Sequence, residues 1–209
     1  MAVISNRRSV MTLFSHPTDP HSHRARIVLA EKNITYDVVN VQDEELPEDL
    51  VDLNPYNSIP TLLDRELVLY DVHTIMEYLD ERFPHPPLMP VDPVSRARFR
   101  IAMYHIQRDW YSQVDIIEAD ADKSSVTKAK KELKESLLAS ADLFAAKPYF
   151  LSDEFSLVDC SIAPILWRLP QYGIDLPSQG KAIKKYADEM FARPSFKNSL
   201  TEIEQELRA

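Results

Sequence analysis

The sequence predicts an α/β domain followed by an all-helical domain. Apolar segments alternate between strand and helix character before residue 84, and the apolar patterns after residue 93 have helical spacing. Five of the 15 prolines fall between these two regions, at residues 84–93. Because proline fixes φ and has no amide proton, a helix cannot continue through such a run. We therefore predict one domain over residues 1–86, a linker over 87–92 and a second domain over 93–209.

The first domain has a strand–helix–strand unit, followed by a hairpin and a closing helix. The lengths of the first three elements predict a parallel strand pair joined by a crossover helix. Only Arg65 and Glu66 separate the last two strands, which favours a hairpin, and Asp71 is a suitable N-cap for the closing helix. This order is that of a thioredoxin-like domain. The predicted elements are strands at 10–14, 36–41, 61–64 and 67–69, and helices at 21–31 and 72–82.

The second domain is predicted to begin with a long helix. Asp92 is a suitable N-cap before Pro93, and the helical pattern continues to about Ala119. The apolar residues form two stripes on roughly opposite faces, one for the core of this domain and the other for the first domain or a second subunit. The first stripe is Met103, Ile106, Trp110, Val114 and Ile117, and the second is Ala97, Ile101, Tyr104 and Tyr111.

Two further helices are predicted in the second domain. One covers residues 128–146. The other begins after Ser156, where Ser156 and Asp159 have the spacing of a capping box, with Asp in place of the usual Glu or Gln. Phe155 and Cys160 are spaced as a hydrophobic staple, so we interpret Cys160 as a packing residue.

Composition and charge exclude several classes of function. A net charge of −9 repels a phosphate backbone, so we expect no direct nucleic-acid binding. Two glycines, Gly173 and Gly180, are too few for a phosphate-binding loop, and a single Cys160 precludes an internal disulfide. We find neither an N-terminal leader pattern nor an apolar stretch near the ~20 residues of a membrane span. We expect a cytoplasmic protein with no membrane contact and no cofactor.

Four short motifs resemble the glutathione transferase superfamily: Ser15-His16-Pro17, residues 22–27, Ile59-Pro60-Thr61, and Phe155-Ser156 with Asp159. The resemblance covers nearly the whole chain and implies the glutathione S-transferase fold, with a cis peptide bond before Pro60. In this superfamily the backbone beside that proline holds glutathione in a groove. The residues that the resemblance places along the groove are Ser15, Ile59, Pro60, Asp71 and Val72.

One position in this groove departs from the superfamily. Glutathione transferases have an acid-Ser pair before the closing helix, and the Ser hydroxyl helps to hold a carboxylate of the ligand. This chain has Asp71-Val72, so a methyl group stands in place of the hydroxyl. We therefore interpret the groove as vestigial and expect no enzymatic activity.

A glutathione-dependent transferase is the alternative interpretation. Such an enzyme stabilises a thiolate with a hydroxyl or cysteine near the end of the first strand, where Ser15 and Ser22 are the candidates. Ser22 is better explained as an N-cap or first-turn residue of the helix that begins near His23. An acidic run also opposes an anionic ligand, although a solvated face is the better single explanation of it. The run is Asp43, Glu44, Glu45, Glu48, Asp49 and Asp52.

Three histidines, His16, His21 and His23, lie close together in the sequence. A zinc site needs three or four converging ligands, and no cysteine or carboxylate pair is spaced to complete one. We therefore expect no metal and interpret the histidines as partners of local backbone groups. We interpret Arg24 and Arg26 as surface charge.

Residues 79–90 and 147–160 resemble one family within this superfamily, the stringent starvation protein A family. This resemblance implies a bacterial transcription regulator of the stringent, stationary-phase and acid stress response. It also implies a homodimer that binds RNA polymerase with its sigma factor and lacks transferase activity. The family often has an aromatic residue where this chain has Asp92.

The same resemblance implies that the proline-rich run after Arg82 contacts the partner. Its centre is Pro84-His85-Pro86, and the predicted site also includes Phe83, Pro87 and Leu88. A stiff, extended segment loses little entropy on binding, which suits docking, but stiffness suits a passive linker equally well. The residues alone support both interpretations to the same degree, and the family resemblance favours docking.

Overall fold

The computed structural model describes residues 10–42, 46–119 and 122–208. The chain divides into two compact units. The first contains Met1–Pro86 and Asn198–Glu206, and the second contains Pro87–Lys197 and Leu207–Ala209. Within the described residues, no helix combines the length and the apolar character that crossing a membrane requires.

The first unit is an α/β fold built on a four-stranded sheet. Its elements are β1 (Thr12–Ser15), α1 (Pro20–Glu31), β2 (Asp37–Asn40), α2 (Glu48–Leu53), β3 (Thr61–Asp64), β4 (Leu67–Leu69) and α3 (Val72–Arg82). The strand order is β2-β1-β3-β4, with β1 parallel to β2 and antiparallel to β3. The predicted parallel pair and the hairpin of β3 and β4 are both confirmed. So is the closing helix, which Asp71 caps through the amide of Thr74.

The first helix begins earlier than predicted. Asp19 is its N-cap and accepts hydrogen bonds from the amides of His21 and Ser22, at 3.2 and 2.6 Å. Pro20 then takes the first helical position, which its fixed φ favours. Ser22 therefore lies in the first turn and is not the N-cap.

The second unit is helical, as predicted. Its elements are α4 (Pro93–His105), a π-helical segment (Ile106–Tyr111), α5 (Ser112–Glu118), α6 (Lys123–Ala139), α7 (Ala141–Ala146), α8 (Leu157–Arg168), a 3₁₀ turn (Ser178–Gly180) and α9 (Lys181–Ala192). Asp92 caps α4 by accepting a hydrogen bond from the amide of Ser95 at 2.8 Å. The helix predicted at 128–146 instead begins at Lys123, because Asp122 caps it, and it is interrupted at Ser140.

The two predicted stripes of the long helix differ in burial. Met103, Ile106, Trp110 and Val114 of the first stripe lie in the core. In the second stripe Tyr111 is buried, and its hydroxyl donates a hydrogen bond to the carbonyl of Ser161 at 2.8 Å. The other members of the second stripe, on α4, are exposed to solvent.

The capping box of α8 forms as predicted. The buried carboxylate of Asp159 accepts hydrogen bonds from the amide of Ser156 at 2.9 Å and from the hydroxyl of Tyr186 at 2.6 Å. Burial raises the pKa of Asp159 to about 6, although its hydrogen bonds act in the opposite direction. The neighbouring Cys160 is buried, in agreement with its interpretation as a packing residue.

The C-terminal segment returns to the first unit. It contains the end of α10 (Pro194–Ser199) and all of α11 (Glu202–Glu206), and its residues 198–206 belong to that unit. This segment was predicted to belong to the helical domain. The physical reason for the difference is a set of buried polar contacts, including the pair Arg26 and Glu204 and the hydrogen bond from Thr201 Oγ1 to the carbonyl of Pro17.

Candidate functional site

The predicted partner-binding run begins where α3 ends. Phe83 is half-buried, with the Arg82 guanidinium 5.2 Å from the centre of its ring. The next four residues, 84–87, are exposed, and the peptide bond between His85 and Pro86 is cis. We refer to residues 83–87 as the proline segment.

A buried lysine holds the backbone of the proline segment. Lys32 directly follows α1, and its ammonium donates hydrogen bonds to Asp80 Oδ1 at 2.7 Å and to the Pro86 carbonyl at 2.5 Å. The side chain of Lys32 is fully buried and that of Asp80 is 8% exposed. Sequence reasoning missed this contact, because Lys32 lies 48 positions from Asp80 and 54 from Pro86 and the residues follow no motif.

Leu88, which the sequence analysis included in the partner-binding site, does not belong to the exposed surface. Its side chain is 2% exposed, and its carbonyl accepts a hydrogen bond from the amide of Leu157 at 3.0 Å. An apolar residue in this position is more stable in the core than in water. Leu88 therefore anchors the chain to the start of α8 and is not part of the exposed surface of the run, although it lines the cavity of the second unit.

The second unit contains a cavity of about 400 Å³ that sequence reasoning did not anticipate. Its apolar lining includes Pro87, Met89, Pro90, Phe99, Leu151 and Phe155. Lys147, Asp153 and Glu154 also line it, and the Lys147 ammonium lies 2.6 Å from the Asp153 carboxylate. The two sequence runs that carry the stringent starvation resemblance thus contribute to the lining of a single cavity.

Both serines proposed as thiolate stabilisers are buried and engaged. Ser15 Oγ accepts a hydrogen bond from Arg26 Nη1 at 2.7 Å and donates to the carbonyl of His16 at 3.4 Å. Ser22 Oγ accepts a hydrogen bond from the amide of His16 at 3.2 Å. The proton of Ser15 is directed to the His16 carbonyl, and both hydroxyls are fully buried, so neither is well placed to donate to the sulfur of a ligand.

The turn expected to hold glutathione retains its architecture. The peptide bond between Ile59 and Pro60 is cis, as the resemblance implied; Ile59 is half-buried and Pro60 is buried. The side-chain amide of buried Asn54 lies within hydrogen-bonding distance of Ser58 Oγ at 3.1 Å and Thr61 Oγ1 at 2.9 Å. Asn54 therefore stabilises the turn by linking the residues on its two sides, Ser58 and Thr61.

The acid-Ser position of the superfamily is structurally intact but chemically altered. Asp71 Oδ1 accepts hydrogen bonds from the amide and the hydroxyl of Thr74, both at 2.8 Å. Burial alone would raise the pKa of Asp71, but these hydrogen bonds outweigh it and the pKa is lowered. Val72 is 9% exposed and presents only methyl groups.

Arg24 and Arg26 were interpreted as surface charge, but both are buried. Arg24 Nη2 lies 2.8 Å from His73 Nε2, and this ring nitrogen must accept because guanidinium can only donate. Burial, followed by the charge of Arg24, lowers the pKa of His73 to about 4. Arg26 donates to Ser15 and forms a 2.6 Å ion pair with Glu204.

The interpretation of the clustered histidines as partners of local backbone groups is confirmed for His16 but is wrong for His23, whose partner is a side chain 176 positions away in the sequence. His16 Nδ1 accepts a hydrogen bond from the amide of Thr18 at 3.2 Å, and His23 Nε2 lies 2.9 Å from Ser199 Oγ. Within residues 10–42, 46–119 and 122–208, no group of three His, Cys, Asp or Glu side chains is arranged to hold a metal. In the acidic run, Glu48, Asp49 and Asp52 are exposed, whereas Asp43, Glu44 and Glu45 lie outside the described residues.

Comparison with known proteins first defines the class. The family model for the glutathione S-transferase N-terminal domain matches residues 20–82, and the family model for the C-terminal domain matches residues 93–194. The tau class glutathione S-transferase of mango (Mangifera indica) is similar in structure, with a TM-score of 0.80 and 24% identity over 96% of each chain. The protein therefore has the glutathione S-transferase fold.

Closer relatives define the family within this class. A stringent starvation protein A homolog of Haemophilus ducreyi is 51% identical over 96% of this chain and 94% of its own. The homolog of Coxiella burnetii is 51% identical over 97% of both chains. The chain belongs to the stringent starvation protein A family.

Proposed function

We propose that this protein is a cytoplasmic transcription regulator that docks on RNA polymerase holoenzyme, at its sigma factor, in the stringent, stationary-phase and acid stress response. The observation that carries the proposal is the exposed proline segment, whose backbone is held by Lys32. Membership of the stringent starvation protein A family adds support. We propose no direct contact with nucleic acid, because the net charge of −9 opposes it.

The proline segment has the properties of a docking surface. Its rings at Pro84, Pro86 and Pro87 are exposed together with the imidazole of His85. A surface that is ordered before binding loses less conformational entropy when the partner arrives. Pro87 also lines the 400 Å³ cavity of the second unit, which could accept an apolar side chain of the partner.

We propose that the protein has no transferase activity. Three observations support this: Val72 lacks the hydroxyl of the acid-Ser pair, and the hydroxyls of Ser15 and Ser22 are buried and engaged. A thiolate in the groove would therefore lack the donor that transferases use to stabilise it. Recognition in this chain is accordingly assigned to the proline segment.

We also propose that the protein is a homodimer and that the exposed face of α4 forms part of its interface. Val94 is 62% exposed, Ile101 is 58% exposed and Tyr104 is 53% exposed, and Ala97 lies between them on the same face. Such a face is stabilised when it is covered, and a second copy of the chain can cover it through a two-fold axis.

The experiment that tests docking replaces Pro84, His85 and Pro86 together with alanine. We expect the variant to keep its melting temperature and its oligomeric state but to lose co-purification with RNA polymerase holoenzyme. A matched control replaces the exposed residues Pro177, Ser178 and Gln179 of the second unit with alanine. We expect this control to bind polymerase as the unmodified protein does.

Two outcomes would count against the proposal. If the Pro84, His85 and Pro86 variant retained polymerase, the proline segment would not be the docking surface. If the unmodified protein failed to bind holoenzyme with its sigma factor in the same assay, polymerase itself would be excluded as the partner.

A further inference from the structure

We propose that Lys32 is a positioning residue for the proline segment and that Asp80 holds Lys32 in place. The inference rests on the proposed function, because it assigns to Lys32 the task of presenting the docking surface. Neither residue is available to contact the partner, since both side chains are buried. Their influence would therefore pass through the carbonyl of Pro86, to which Lys32 donates.

The composition of the proline segment explains why a donor from outside is needed. Pro84, Pro86 and Pro87 have no amide proton, so their own backbone cannot donate to the rest of the unit. The amide of Phe83 still donates to the carbonyl of Leu79, as the last bond of α3. Beyond that point His85 alone has a backbone amide, so the segment offers mainly carbonyl oxygens by which it can be held, and Lys32 holds that of Pro86.

A buried ammonium is an unusual choice if stability were its only role. Removing the Lys32 ammonium and the Asp80 carboxylate from water is costly, and apolar residues of similar volume often stabilise a protein as well or better. What apolar residues cannot do is direct a charged donor at one chosen carbonyl oxygen. The hydrogen bond to Asp80, at 2.7 Å, orients the Lys32 ammonium. In this orientation the ammonium also donates to the carbonyl of Pro86.

The test replaces the pair with apolar residues in Lys32→Met/Asp80→Leu, so that no uncompensated charge stays buried. Two quantities are measured: the ring resonances of His85 by NMR, and the affinity for RNA polymerase holoenzyme. We expect the His85 resonances to shift or broaden while the melting temperature stays close to that of the unmodified protein. We expect the dissociation constant for holoenzyme to rise on the order of tenfold, because a hydrogen bond from a charged donor is lost.

The matched control is Tyr78→Phe, because Tyr78 lies on α3, the helix that also contains Asp80. It removes the hydrogen bond from Tyr78 to Asp64, at 2.6 Å, without touching Lys32 or Pro86. We expect this control to leave the His85 resonances and the affinity unchanged. If the double variant fails to fold, Lys32→Met/Asp80→Asn serves in its place, because it keeps the side-chain volume at position 80 and likewise leaves no buried charge without a partner.

The two measurements separate the inference from the proposed function. Unchanged His85 resonances in a folded variant would overturn the positioning role. Changed resonances with unchanged holoenzyme affinity would support that role and remove the proline segment as the docking surface. If the unmodified protein does not bind holoenzyme, the His85 resonances alone decide the role of Lys32.

Discussion

The guanidinium of Arg26 forms a buried ion pair with the carboxylate of Glu204, at 2.6 Å, although 178 positions separate the two residues in the sequence. Arg26 also donates to the carbonyl of Ser199 at 3.0 Å and to Ser15 Oγ at 2.7 Å. One side chain thus fixes the end of β1 and the C-terminal segment to the same helix. Arg26 also engages the hydroxyl of Ser15, which a transferase would need for its ligand.

Replacing Glu204 with glutamine should destabilise the protein by about 3 kcal/mol, because the variant leaves the buried charge of Arg26 without its carboxylate. The measurement is urea denaturation followed by circular dichroism. Glu206→Gln is the control, since Glu206 is exposed on the same short helix, and we expect it to change stability by less than about 0.5 kcal/mol. Equal stability of the two variants would show that the ion pair does not hold the C-terminal segment.

The pKa of His73 predicts a dependence of stability on pH. Burial and Arg24 lower this pKa to about 4 from the ordinary value of 6.5, so the unfolded chain binds a proton more strongly than the folded protein does. The contribution of His73 to the free energy of unfolding is therefore complete above about pH 6.5, and it is lost as the pH falls from there to about 4. We expect this loss to reach about 2 to 3 kcal/mol.

The comparison that isolates His73 is His73→Gln, which keeps a neutral acceptor for Arg24. Asp71, His21 and Glu77, which also act on His73, are unchanged in this variant. Its free energy of unfolding, measured from pH 7 to pH 4, should therefore decline less steeply than that of the unmodified protein. Parallel profiles would show that His73 does not contribute.

Local signals predicted much of the fold. The hairpin at Arg65, the closing helix capped by Asp71 and the capping box at Asp159 depend on residues a few positions apart, so the sequence displays them directly. The start of α1 was missed although Asp19 and Pro20 form the same Asp-Pro signal that was recognised at the start of α4. The start of α1 was therefore predictable from the sequence, because its Asp-Pro signal is present there.

The buried charges could not be predicted in this way. Arg24 and Arg26 lie on a helix, where charged residues usually face water. Their burial depends on partners that are distant in sequence, His73 and Glu204, and no short motif announces such a pair. The same holds for Lys32. The sequence therefore predicted which residues form the candidate site. It did not predict the contacts that hold their backbone, because these contacts join residues distant in the sequence.

Ile101→Glu tests the proposed dimer interface. It places a carboxylate in the middle of the exposed apolar face of α4, where burial against a second copy would cost about 3 kcal/mol or more. We expect the dimer dissociation constant to rise about 100-fold, as measured by sedimentation equilibrium. The control is Ile203→Glu, at an isoleucine of α11 that is 42% exposed. Dissociation by both variants or by neither would contradict the assignment of α4.

Val72→Ser tests whether the missing hydroxyl weakens the binding of glutathione in the groove. The N-cap at Asp71 is formed, so a serine directly after it should present a hydroxyl that donates to a carboxylate of the ligand. We expect calorimetry to show a dissociation constant for glutathione about tenfold lower in Val72→Ser than in the control Val72→Ala, which lacks the hydroxyl. We expect neither variant to conjugate an electrophile, because Arg26 still engages Ser15. Conjugation by the unmodified protein would show instead that the groove is a working active site and that Ser15 is released when the ligand binds.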